Sequence, residues 1–393
     1  MHQTASFEIP GRITNSDALA LKEFEVVNSI LPTPLPLFIF KEELKKDIIS
    51  IFSENAKNGK KRSYASIVEE LYKKHTTDFA NYYLLYYQYG ILKDFDFVSN
   101  FNFELKNEKG NPWLVYNLFS LKFEPTIRTV FDFQNIIIQK ILNNGLVKEK
   151  DGILKYLYFE DIKEKYCKSP NTYLLIMKYR KVFYDFVYKG RFEVVTKSIF
   201  DEILQTLILD DIRKDQFKSN KHSQGYSIAA KLNIWFSLSH LFFNPNKNSI
   251  NMANHLKEHQ AFMLDLIDGK KDILSESEFA FASGQIIKYL LSKSRGADKS
   301  HSRLEAFIQQ GNYNLFIKAI IRLFDQYKHA TMTKKFERVI SQVLEYENEI
   351  NNLTSNTKYI LAGYFSNNFL FSDKEKVEFD SIIEQNEDSE ENS

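Results

Sequence analysis

SESEFAFASGQIIKYLLSKS (275–294), NLFIKAIIRLFDQY (314–327) and TKKFERVISQVLEY (333–346) decide how this chain folds. In the first stretch Ser275 stands where a helix cap belongs, and Phe279, Ala282, Ile286 and Leu290 recur at three- and four-residue steps. In the second, Leu315, Phe316, Ala319, Ile320, Leu323, Phe324 and Tyr327 form one continuous apolar stripe. In the third, Thr333 opens a helix carrying Phe336, Val339, Ile340, Val343 and Leu344. A last helix carries Tyr359, Ile360, Phe365 and Phe369. Amphipathic helices joined by short loops bury their apolar faces against each other, so residues 251–372 are expected to form a four- to five-helix bundle.

Outward from the bundle, the pattern stays mainly helical. Residues 93–250 are expected to form a central, mostly helical domain. It has helices over 131–142 (ended by Asn143-Asn144-Gly145 in left-handed conformation), 155–165, 172–190, 196–212 and 228–243. Residues 1–92 form an irregular N-terminal region. There Ser16 caps a short helix through Leu19, Leu21 and Phe24, and Pro32, Pro34 and Pro36 make a stiff, extended connector at 31–36. Helical pattern returns at Glu42–Ser53 and again over Tyr64–Leu92, where Tyr82, Tyr83, Tyr86, Tyr87 and Tyr89 fall on one helix face. The alternation of Phe95 and Phe97, followed by Phe101 and Phe103, allows a small β hairpin. The end, 373–393, is acidic and poor in apolar groups, which is the composition of a disordered tail.

The 393 residues carry 52 Lys+Arg against 51 Asp+Glu, so only local clusters of charge can attract a polyanion. Cys167 is the sole cysteine, which excludes an intrachain disulfide and suits a reducing compartment. No signal-peptide pattern opens the chain, and its apolar runs are too short to span a bilayer; a cytoplasmic protein with no membrane partner is expected.

Motifs for catalysis are scarce. There is no GxxxxGK[ST] phosphate loop and no G-x-S-x-G elbow. His255-Leu256-Lys257-Glu258-His259 fits H-x-x-E-H, in which His255 and His259 would hold zinc and Glu258 would act as base. A third ligand has no clear candidate, and an exposed helix explains the match more simply. Asp210, Asp211 and Asp215 adjoin Arg213 and Lys214 and read as solvated ion pairs. The expectation is therefore no catalytic residue, no metal and no cofactor.

Basic clusters carry more information. Lys288, Lys293, Arg295, Lys299 and Arg303, with His301, lie in and around one loop of small polar residues. Lys328, His329, Lys334, Lys335 and Arg338 form a second group, and Lys178, Arg180, Lys181, Lys189 and Arg191 a third. Flexible amides, hydroxyls and cations together suit phosphate contacts, and two such groups in one bundle suggest a groove that tracks a nucleic-acid backbone. Lys57, Lys60, Lys61 and Arg62 around Asn58-Gly59 are a further basic loop.

Several stretches resemble the large subunit of type I-B CRISPR interference complexes (Cascade). They are KVFYDFVYKGRFEVVTKSIFDEILQTLILDDIRKD (181–215), KLNIWFSLSHLF (231–242), FAFASGQIIKYLLSKS (279–294), the stripe ending in DQYKHA (325–330), and ILAGYFSNNFLF (360–371). The similarity covers roughly 80–375. It implies a non-catalytic subunit of a crRNA-guided complex that helps recognise the motif beside the target, supports strand separation and recruits a helicase-nuclease. The implied partners are the other Cascade subunits, crRNA, double-stranded target DNA and its displaced strand. The C-terminal helical domain is similar to the separate small subunit of related complexes. In the family it is also made alone from an internal start, and Met252 and Met263 stand suitably placed for that. Family members usually carry a longer part before the matched region, where the adjacent motif is read; here only about 80 residues precede it, and the 57–62 loop is the remaining candidate. Two other classes compete: a zinc metalloprotease built on the H-x-x-E-H helix, and a protein-interaction scaffold whose contact is the tyrosine face at 82–89.

Overall fold

The structure is a computed structural model that describes residues 13–27, 33–38, 42–58, 62–75, 81–88, 91–107, 110–122, 124–150, 153–215, 224–241, 252–294, 300–330, 332–346 and 353–371. The fold is mainly helical with small antiparallel sheets, and the chain divides into two compact units.

The first unit holds Met1–Phe103 together with Asp185–Phe192. Helix α1 (Asn15–Val27) is capped by Thr14, two residues before the expected Ser16: the Thr14 hydroxyl accepts the Asp17 N–H at 3.1 Å. Of the expected connector at 31–36, residues 31–32 lie outside the described residues, Thr33-Pro34 form a bend with a cis peptide bond, and Leu35 and Pro36 belong to strand β1 (Leu35–Leu37). Helices α2 (Glu42–Asn58) and α3 (Tyr64–Lys74) follow, the latter capped by Ser63.

The expected helix over 64–92 stops at Lys74. Asn81, in left-handed conformation at φ 57°, leads into strand β2 (Tyr82–Gln88), which pairs with β1 on one side and β3 (Ile91–Val98) on the other. Tyr82, Tyr83, Tyr86 and Tyr87 therefore line both faces of a strand instead of one helix face, while Tyr89 lies outside the described residues. Tyrosine pairs at 82–83 and 86–87 satisfy a period of 3.6 and a period of 2 alike, and aromatic residues favour the pleated surface. Tyr82, Leu84 and Tyr86 are buried on one face. There the hydroxyl of Tyr64 meets that of Tyr82 at 2.8 Å and donates to the Tyr188 carbonyl at 3.1 Å.

The second unit holds Glu104–Tyr184 and Glu193–Ser393. It begins with a short ladder, β4 (Trp113–Leu114) against β5 (Thr126–Ile127). A helical run follows through α4 (Val130–Asp132), a π-helical stretch (Phe133–Ile138) and α5 (Gln139–Ile141). Thr129 and Asp132 form a capping box at its start, and Asn143 and Asn144 end it at φ 51° and 59°. The expected helix over 155–165 is absent. That segment finishes the hairpin of β6 (Val147–Lys150) and β7 (Ile153–Tyr156), then runs irregularly to a 3₁₀ turn, Glu164–Tyr166. Tertiary partners decide the outcome: Tyr156 hydrogen-bonds Asn135 and Gln139 at 2.6 Å, and Tyr158 packs edge-on against Tyr184.

Helices α6 (Pro170–Lys189), α7 (Lys197–Lys214), α8 (Gly225–Leu241) and α9 (Met252–Asp268) lead to the C-terminal helices. These are α10 (Glu276–Ser292), α11 (Glu305–Ile308), α12 (Tyr313–Tyr327), α13 (Lys334–Glu345) and α14 (Thr357–Phe365). The last turn of α6 belongs to the first unit, and Phe369 lies beyond α14. Because α8 packs on both α9 and α14, residues 193–250 share a unit with the C-terminal helices. The chain passes between the units after Phe103, Tyr184 and Phe192.

Helix α10 is the axis of this unit, with α9, α12, α13 and α14 packed around it. Its closest neighbour is α14, and two glycines set that approach: a Cβ on Gly284 would lie 2.1 Å from the Ile360 carbonyl oxygen, and one on Gly363 would lie 2.1 Å from the Phe281 carbonyl oxygen. Gln285 fastens the crossing. Its amide donates to the carbonyls of Gly363 and Asn367 and its oxygen accepts the Phe369 N–H, while Asn368 donates to the Gln285 carbonyl.

Alanine at 284 would gain about 1 kcal/mol of helix propensity but meet backbone, which cannot yield as a side-chain tip does; overpacking costs typically ~1–3 kcal/mol. Gly284→Ala is therefore expected to lower stability by about 2 kcal/mol or more in urea unfolding. Gly311→Ala, with nothing nearer than 3.7 Å, should change it by less than about 0.5 kcal/mol.

Candidate functional site

Helices α12 and α13 meet at a turn, 328–333, that gathers the basic segments of the bundle. Asn312 caps α12 by accepting the Leu315 N–H at 3.2 Å, and Thr333 caps α13 by accepting the Phe336 N–H at 3.1 Å. The turn is tied to α10: the Thr333 N–H donates to the Tyr289 hydroxyl at 3.1 Å, and the Tyr289 ring stacks on Phe336 at 4.8 Å. Lys293 lies over the same Tyr289 ring at 4.3 Å. At the other end, Arg303 donates to the Tyr327 hydroxyl at 2.7 Å. Lys293 and Arg303, from a cluster far away in sequence, thus lie beside the two ends of the α12–α13 connection. Arg295 and Lys299, between them in the chain, lie outside the described residues.

The cations are not equivalent. Lys288 donates to the Ser366 carbonyl at 2.9 Å, Arg303 holds Tyr327, and the Arg338 Nε donates to the Leu266 carbonyl at 2.8 Å in the last turn of α9. These three hold the bundle together. Lys334 and Lys335 project into solvent, as does Lys328, whose nearest carboxylate is Asp325 at 3.7 Å. Two further exposed cations on α12, Lys318 and Arg322, stand one turn apart and lead towards Lys328. Sequence reading overlooked them, although they occupy the side of α12 opposite its apolar stripe. Asp325 and Glu337 are interspersed, and Lys335 acts on Asp268, where it joins Lys270 in holding the carboxyl below its ordinary range.

Elsewhere the basic segments are engaged or undescribed. In the first unit, Arg62 pairs with Glu70 at 2.7 Å, Lys60 and Lys61 lie outside the described residues, and the side chain of Lys57, in α2, does too. The third cluster is broken up. Lys189 is buried among Asp94, Asp96 and Asp185 at 2.7, 2.9 and 3.0 Å, and Arg191 pairs with Asp96. Lys178 pairs with Glu202, and Arg180 donates to the Glu160 carbonyl.

Asp210, Asp211 and Asp215 are not solvated; all three are buried. Asp210 accepts from Ser169 and Asn171 at 2.7 and 2.8 Å. Asp211 binds the buried Lys231, Lys168 at 2.8 Å and Ser227 at 3.0 Å. Asp215 accepts the backbone N–H groups of Gln224 and His301 at 2.7 and 2.6 Å. Each acid thus has protein donors, and the set fastens α6, α7, α8 and the start of the 301–304 turn to one another. Burial pulls Lys231 down to about 8 against the pull of Asp211, and pulls His301 down to about 4.

The H-x-x-E-H segment does lie on a helix, α9. His259 is buried between the rings of Tyr359, stacked at 5.3 Å, and Phe281 at 5.5 Å, while Glu258 is exposed; the side chain of His255 lies outside the described residues. Among the described residues no three His, Cys, Asp or Glu side chains are grouped closely enough to hold a metal ion. Nor is any described helix long and apolar enough to cross a membrane. No protein-family model, curated protein or solved structure matches the chain.

Two outcomes follow from the buried network. Lys231→Met leaves Asp211 deprived of its most buried partner and should cost about 3–5 kcal/mol in equilibrium unfolding, with much of the loss recovered by adding Asp211→Leu. His301 takes up a proton in the unfolded chain near pH 6.5 but in the folded chain only near pH 4. Its contribution is complete above pH 6.5 and is lost as pH falls towards 4, by up to roughly 3 kcal/mol. His301→Asn should therefore flatten stability against pH across that window relative to the unaltered protein.

Proposed function

We propose that this chain is the non-catalytic large subunit of a type I-B CRISPR RNA-guided surveillance complex, and that its C-terminal bundle contacts the backbone of target DNA along the α12–α13 edge. The observation that carries the proposal is that Lys293 and Arg303 are both held against the ends of the α12–α13 connection, Lys293 through Tyr289, whose hydroxyl accepts from Thr333, and Arg303 through Tyr327. Cations at such an edge track phosphates without reading bases, which suits a complex whose sequence recognition is delegated to RNA–DNA pairing. Lys318, Arg322, Lys328, Lys334 and Lys335 make the contact. Lys288, Arg303 and Arg338 position the edge.

The resemblance adds its own support, because the quoted stretches coincide with the elements that build the second unit: α7 with its buried acids, α8, and the α10–α14 crossing. The chain works in the cytoplasm with crRNA, the other Cascade subunits, double-stranded target and displaced strand, and it supports strand separation and recruits the helicase-nuclease. A separately made C-terminal product starts at Met252, the first residue of α9, since a start at Met263 would cut that helix in two.

A variant carrying Lys318→Glu, Arg322→Glu, Lys334→Glu and Lys335→Glu should remain folded. Its affinity for duplex DNA should fall at least about tenfold at low salt, and the slope of log affinity against log salt should shrink by about 3 to 4. Unchanged affinity and slope would remove this edge from the contact.

A further inference from the structure

We propose that the acidic residues 372–393 dock on the α12–α13 edge of the same chain and must be displaced before another polyanion binds there. The docking itself does not depend on the CRISPR assignment; that the ligand displacing the segment is DNA rests on the proposed DNA contact at this edge.

The chain enters this segment at the edge. Asn368 and Phe369 are tied to Gln285 of α10, and the Leu370 carbonyl accepts from the Thr333 hydroxyl at 2.9 Å. Phe371, the residue before the segment, is buried, with its ring 5.7 Å from that of Tyr289. Tyr289 is also the residue whose ring carries Lys293 and whose hydroxyl accepts the Thr333 N–H. Thr333 caps α13, and the exposed Lys334 and Lys335 follow it directly. The segment therefore starts beside the first turn of α13, where the helix dipole adds to two ammonium groups.

Charge supplies the complement. Residues 372–393 hold nine carboxylates and two lysines, and 384–393 hold five carboxylates and no base. The other 371 residues carry 50 Lys+Arg against 42 Asp+Glu. On the edge, Lys318, Arg322, Lys328, Lys334 and Lys335 are exposed, with Asp325 and Glu337 as the carboxylates within 318–338. Reach is ample. Lys318 and Lys328 are separated by about 15 Å of helix rise, and a coil of 22 residues has a root-mean-square span of about 25 Å. Tethering at Phe371 sets an effective concentration on the order of millimolar, so contacts too weak to hold two separate molecules together suffice to occupy the edge. Duplex DNA carries its charge more densely and displaces the segment. Polyanions of lower charge density do not, so the segment sets a threshold for what the edge will bind.

Zero-length carbodiimide cross-linking of the full chain alone, read by mass spectrometry, tests the docking. Carboxylates of 373–391 should link to Lys318, Lys328, Lys334 or Lys335 at low salt, and the links should fade by about 0.5 M salt. Adding a short DNA duplex should also suppress them. No link from the segment, or links to other lysines only, in a sample where the exposed Lys178–Glu202 pair is linked, would overturn the proposal. Neutralising the segment in the full chain (Glu384→Gln, Glu387→Gln, Asp388→Asn, Glu390→Gln and Glu391→Gln) tests the competition. A segment docked about nine times in ten lowers apparent affinity about tenfold, so the neutralised chain should bind the duplex about tenfold more tightly at low salt. That gain should vanish by about 0.5 M salt and should be lost when the edge charges are already reversed. Neutralisation without a gain, while the edge variant weakens binding, would overturn the inference and leave the DNA contact standing. An edge variant that binds DNA normally, with the cross-links formed, would overturn the DNA contact and leave the docking in place.

Discussion

The close approach of α10 and α14 is the constraint on which the second unit depends. Two backbones come within reach of each other only because neither Gly284 nor Gly363 has a side chain, and α10 is thereby buried on nearly every side. Gln285 satisfies the carbonyls and the amide that this approach would otherwise strand, so one side chain serves both α14 and the segment after it. Burial of that kind makes α10 a fixed reference for everything packed around it.

The basic edge inherits its geometry from this reference. Tyr289 sits one turn and a half after Gly284 on α10. Its hydroxyl receives the first N–H of the α13 cap, and its ring carries Lys293. Exposed lysines on α12 and α13 are therefore held by helices that cannot easily move, which lets a surface with few fixed ion pairs keep a definite shape. A second rigid point is the Lys231–Asp211 pair and its neighbours. Buried ions of this kind do little for net stability but leave few alternative ways to pack α6, α7 and α8.

Much of the bundle was legible in the sequence because its signals are local. Ser275 and Thr333 are side-chain caps, and the stripes on α10, α12 and α13 face the core along their centres, with Leu315 and Leu344 exposed at their margins. The failures occurred where a distant partner decides. Tyr82–Tyr87 fit helix and strand periods equally, and pairing with β1 and β3 selected the strand. Residues 155–165 yielded a helical pattern to the partners of Tyr156 and Tyr158. Asp210, Asp211 and Asp215 looked solvated beside Arg213 and Lys214, yet their partners, Ser169, Lys231 and His301, lie 41, 20 and 86 residues away along the chain, separations that no local pattern reveals. The candidate edge was half visible: its clusters could be counted, but that they converge, and that Lys318 and Arg322 extend them, needed the fold.

Photo-cross-linking of the full chain to duplex DNA, read by mass spectrometry of the attached peptides, tests most directly whether the α12–α13 edge meets a nucleic-acid backbone. Cross-links should fall within 293–303 and 318–338. Nucleic acid that attaches only elsewhere on the chain, with those segments unmodified, would contradict the account.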